Sequence, residues 1–208
     1  MSIFAHLEDT CGWRPRHPIV CYIDVAGLSI QALLMMLCRP HLVTAVLPIA
    51  LAMQYTLSCV HHWMPYSDTR SKLDRAMIFV LIGASFVPYW GGLLPTEEAL
   101  VRLPLVGAGV FLGCVLVCCE VSDKIIGASW ALFAGIGLLV SGSELSEWLP
   151  PEGLTAFWIG VCCYAAQQVV YSIGRPDPLP GVFGFRESQH AFLLAATTTH
   201  SAVALTCT

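Results

Sequence analysis

The sequence predicts an all-α membrane protein, a bundle of seven transmembrane helices with a cytoplasmic N-terminus and an extracellular or lumenal C-terminus. Three observations predict it. Of 208 residues, 56% are hydrophobic and only 12% are charged, and the mean hydropathy is +0.71; such a chain cannot cover itself with polar surface in water. Seven apolar runs approach the ~20 residues that a helix needs to cross ~30 Å of hydrocarbon. The lysines and arginines fall unevenly between alternate loops.

The first run spans Ile19 to Leu37 and the second Leu42 to Trp63, just before "PYSDTRSKLD". The third covers Leu73 to Leu94. The fourth (Leu103 to Cys119) and fifth (Ile125 to Val140) are short, at 17 and 16 residues. The sixth runs from Leu154 to Ile173 and the seventh from Glu187 to the end. Residues 1–18 carry Glu8, Asp9, Arg14 and Arg16 with no apolar core. They read as a cytoplasmic segment and not as a removable signal peptide, so residues 19–208 form a single membrane domain.

Loop charge sets the predicted orientation. Arg14 and Arg16 precede the first helix; Arg70, Lys72 and Arg75 lie at the second connection, Lys124 at the fourth, Arg175 and Arg186 at the sixth. Eight of the ten basic residues thus share one side, against Arg39 and Arg102 on the other. The positive-inside rule makes the first side cytoplasmic, the reverse of a G-protein-coupled receptor.

Other classes are disfavoured. Most of the ten cysteines lie within the apolar runs, where they act as small packing residues, and no cysteine pairs have zinc-finger spacing. A net charge of −4 without a basic patch excludes a nucleic-acid partner.

Polar residues inside the runs carry the functional information, because an ionisable group in hydrocarbon costs about 2.5–3.5 kcal/mol unless a partner or cavity receives it. In "LSCVHHW", Ser58 and His62 are four apart and share a helix face. Asp74 opens the third helix, and "FRESQH" places Arg186, Glu187 and His190 at the start of the seventh. All fall at one membrane level, and two histidines, a serine and an aspartate are the material of a zinc site that activates water. A structural role stands beside that reading. Asp74 is favoured near a helix N-terminus by the macrodipole, and Ser58 can bond a carbonyl one turn back. His61 points to a different face and reads as a headgroup-level residue. His200, deep in the seventh helix, reads as a buried, hydrogen-bonded packing residue, and Asp24 in the first helix is open to either role.

The segments "SCVHHW", "KLDRAMIFVLIGASFVPYW" and "GRPDPLPGVFGFRESQHAFLLAATTTH" resemble the hemolysin III family and its relatives, the progestin and adipoQ receptors. The matching features are Ser58 to His62, Leu73-Asp74, Ser85-Phe86-Val87-Pro88 and Pro180-Gly181-Val182-Phe183-Gly184. The resemblance implies zinc at the cytoplasmic side, held by His62, the residue at 186 and His190. It further implies that Ser58 and Asp74 hold and deprotonate a water for hydrolysis of a lipid amide, with a membrane lipid or lipid-like molecule as the partner. Position 186 departs from the pattern: an arginine has no lone pair for a metal. At ~4 Å and a dielectric of ~20 its charge opposes a dication by ~8 kcal/mol before screening. The first helix also lacks the Glu, Asn and His usual in the family. Three functions follow from the resemblance: a zinc-dependent lipid amide hydrolase with Arg186 turned to the headgroups, a metal-free lipid or ligand sensor with Arg186 paired to Asp74 or Glu187, and, ranked last, a membrane-lytic protein.

Overall fold

A computed structural model describes residues 17–38, 41–179 and 181–205. Arg14, Arg16, Arg39 and Pro180, and all but the last two residues of the expected cytoplasmic segment 1–18, lie outside the described residues. Seven helices follow in order among the described residues: α1 (Pro18–Cys38), α2 (Leu42–Trp63), α3 (Asp68–Gly92), α4 (Thr96–Cys118), α5 (Asp123–Trp148), α6 (Pro151–Ile173) and α7 (Phe185–Ala204). No strand occurs among the described residues, where the β pairing is limited to an isolated bridge between Leu179 and Phe183.

Sequential helices pack against one another, α7 closes against α1, and α3 stands centrally in contact with α2, α4, α5 and α7. The inner faces carry the core: Phe86, Tyr89, Trp90 and Phe157 fill one end, and Leu47, Leu51 and Tyr55 fill the α2 side. Close approach is bought by small residues. A Cβ on Gly137 would stand 1.9 Å from the Phe86 ring, and one on Gly27 would stand 2.4 Å from Tyr55. The outer faces remain apolar, with Leu139 86% and Phe111 72% exposed, a surface that only hydrocarbon covers favourably.

Among the described residues, six helices are long and apolar enough to cross a membrane: α1 to α4, α6, and the Asp123–Ser141 part of α5. The expected seventh, α7, does not meet that measure. It carries Arg186, Glu187, Gln189, His190, three threonines and His200, and most of these polar groups are turned inward. Its apolarity is therefore low because its inner face is built for polar contact.

The short fourth and fifth runs become helices of 23 and 26 residues. Arg102 does not end α4 because its charge is matched: its guanidinium meets Glu144 on α5 at 2.6 and 2.7 Å and Glu98 one turn back at 3.0 Å. At the opposite end, Lys72 donates to Glu120 at 2.6 Å and Arg75 pairs with Asp123, tying α3 to the α4–α5 turn.

The fork from Arg102 holds the Glu144 carboxyl below its usual range. A carboxylate with a depressed folded value adds stability above its unfolded value, near pH 4.3, and loses it as pH falls through the folded value. Glu144 is partly solvated, so the effect is screened. In detergent at pH 7, Glu144→Gln is expected to melt ~2 °C below the parent protein. The gap should narrow progressively as the pH is taken below 4.3; a gap that does not narrow at all down to pH 3 would exclude ionisation as its source.

Candidate functional site

The starts of α1, α3 and α7 and the end of α2 meet at one end of the bundle. His62, in the last turn of α2, is 3% exposed. Its ring centroid lies 5.4 Å from His17, 4.9 Å from His61 and 5.2 Å from His190. Its Nδ1 has no hydrogen-bond partner among the described residues. A buried nitrogen left so costs about 1–3 kcal/mol, which a ligand for its lone pair would offset.

His190 is held differently. Its Nδ1 lies 3.0 Å from Asp24 Oδ1, on a carboxylate with no exposed surface. The carboxylate accepts from Nδ1–H, fixing the tautomer that leaves the Nε2 lone pair to other partners; metal-binding histidines are commonly oriented in this way. Asp24, open to either role in the sequence, is thus the contribution of α1 to the site. The two residues are 166 positions apart.

Asp74 lies in the second turn of α3, past the first-turn position that a helix dipole most favours. Gln54 Nε2 donates to its Oδ1 at 3.1 Å. One ligand atom each from His61, His62 and Asp74 come within 4.8 Å of one another. His61, which the sequence set apart on a different face, is buried and joins this group. A residue at a helix end is covered or bare according to what packs over it, which helical periodicity cannot report. Ser58 is 1% exposed, and its hydroxyl has no partner among the described residues, so the expected bond one turn back is not made.

Arg186 is half-buried, with its guanidinium over the Phe185 ring at 5.4 Å from the centroid. Among the described residues it pairs with neither Asp74 nor Glu187. Glu187 instead accepts from Gly184 N–H at 2.9 Å and faces His17 Nδ1 at 3.6 Å. Asp177, in the proline-rich loop, accepts from Phe185 N–H at 2.9 Å, so the start of α7 is fastened from both sides.

A cavity of about 430 Å³ runs inward from this end, a volume within the range of small-molecule sites. Ser58, Asp74 and His190 line it at this end, and Phe86, Leu138 and Val161 are among its apolar walls. The donors present suit zinc: two or three imidazoles, one oriented by a buried carboxylate, and an adjacent aspartate. Arg186 does not suit it as a ligand.

The described cysteines Cys21, Cys59, Cys114, Cys118, Cys119, Cys162 and Cys163 are all unpaired. The whole arrangement lies within a stretch matched by a known family: residues 15–201 match the family described as haemolysin-III related. With that match over nearly the full chain and six helices apolar enough to span a bilayer, the protein belongs to the haemolysin-III related family and is an integral, multi-pass membrane protein.

Proposed function

We propose that the protein is a zinc-dependent hydrolase of a lipid amide, with its site at the cytoplasmic end of a single seven-span domain. The observation that carries this reading is the cavity, whose polar end at Ser58, Asp74 and His190 continues between mainly apolar walls, which matches a lipid with a polar linkage and a long chain. The seventh span is α7, whose polar face turns inward while hydrocarbon meets the rest. The excess of Lys and Arg on the loops at the site's end supports an N-terminus in the cytoplasm.

His61, His62 and His190 would hold the metal, with Asp74 close beside them and left free to act on the water. Zinc bound there would polarise a carbonyl and make a water acidic near neutral pH. Ser58 Oγ, free of other partners among the described residues, donates to the amide carbonyl oxygen and positions it. Asp74, with Oδ1 held by Gln54, uses Oδ2 to take the proton from the attacking water and return it to the leaving nitrogen. Asp24 keeps the His190 ring in place throughout.

A metal-free lipid sensor is the second reading, favoured by Arg186 itself, which stands where the resemblance expects a metal ligand and has no lone pair to offer one. Metal analysis separates the two. Purified protein is expected to carry about one zinc per chain, to lose it to a chelator, and to release fatty acid from ceramide only when reloaded. No zinc in the parent, together with zinc gained by Arg186→His, would establish the sensor reading in its place.

A further inference from the structure

The cavity has a second polar pole. His200 is 5% exposed, and neither of its ring nitrogens has a hydrogen-bond partner among the described residues; the Tyr164 hydroxyl has none either. Both residues line the cavity, with ring centroids 5.3 Å apart. The expectation of a hydrogen-bonded packing histidine is corrected here, since His200 is buried without its bonds. Its ring is seated against Phe157 at 4.8 Å and against the backbone of α6, where a Cβ on Gly160 would come within 2.1 Å of Cδ2. The position is fixed, and the open nitrogens belong to a ring that α6 and α7 hold at the cavity wall.

His200 follows His190 by ten residues on one helix, which separates the two poles by about 15 Å. A neutral imidazole offers one donor and one acceptor, and a phenol offers both. An aliphatic hydroxyl, also donor and acceptor, answers that pair, and an unsubstituted hydrocarbon chain leaves it unmet. We propose that the cavity selects an acyl lipid bearing a hydroxyl on its chain roughly 15 Å from the carbonyl. The proposal rests on the reading that the cavity admits an acyl chain, and it names the class of chain.

The test is displacement of a fluorescent fatty acid from the purified protein in nanodiscs by 12-hydroxyoctadecanoic acid and by octadecanoic acid. The hydroxy acid is expected to bind about tenfold more tightly. Tyr164→Phe and His200→Leu should each shrink that ratio below about threefold, by weakening the hydroxy acid, by strengthening octadecanoic acid, or by both. Equal affinities in the parent protein would show that water satisfies the two side chains and would overturn the proposal while sparing the acyl cavity. If neither acid displaces the probe, the acyl cavity falls as well. A ratio unaltered in both variants would remove His200 and Tyr164 from the explanation.

Discussion

His62→Ala is expected to leave the purified protein with less than about a tenth of the zinc of the parent, and to lower fatty-acid release by more than ~10³-fold. The size follows from the position of this ring among those of His17, His61 and His190, with a buried Nδ1 that no described residue engages. Loss of a group that only orients a metal ligand costs about 10–100-fold in metal affinity, and loss of a ligand costs more. A folding defect would be separated by His62→Cys, which restores a soft donor. Zinc should return to at least half of the parent content in that variant. Full zinc retention in His62→Ala, measured by mass spectrometry on protein of normal melting temperature, would place the metal elsewhere.

The second large effect is expected at Asp74. Asp74→Asn keeps the shape of the side chain and an oxygen for Gln54 to donate to, yet it removes the base. General acid–base catalysis contributes ~10²–10⁴-fold, so kcat for ceramide hydrolysis should fall by that amount with KM little changed. Zinc content should fall less than turnover, because His61, His62 and His190 remain. The acidic limb of the pH–rate profile should also vanish. Turnover equal to that of the parent would exclude Asp74 as the proton carrier, and a fall in turnover matched by the loss of zinc would make it a ligand alone.

Part of this site is legible in the sequence. Ser58 and His62 share a face by spacing, and Asp74 and His190 fall at the same level once the runs are counted. Other parts are not. Asp24 bonds to a histidine 166 residues away, and no local pattern reports such a partner. His61 is one residue from His62 and 100° around an ideal helix, yet both are buried because they sit where the ends of several helices crowd together. The lengths of α4 and α5 were hidden for a similar reason, since Arg102 looks like the end of an apolar run until Glu144 is placed beside it.

The sequence by itself determined that this protein is helical and lives in a membrane, because run length and summed hydrophobicity act on each segment without reference to its neighbours. It also marked the residues worth watching, since a polar group in such a run needs a reason. Only the tertiary structure decided which of them meet. It joined Asp24 to His190, brought His61 into the cluster, set Arg186 over Phe185, and left His200 and Tyr164 open at the cavity wall. Apart from Arg186 over Phe185, which are neighbours within α7, those arrangements arise between helices and are fixed by how the helices pack rather than by the order of residues along any one of them.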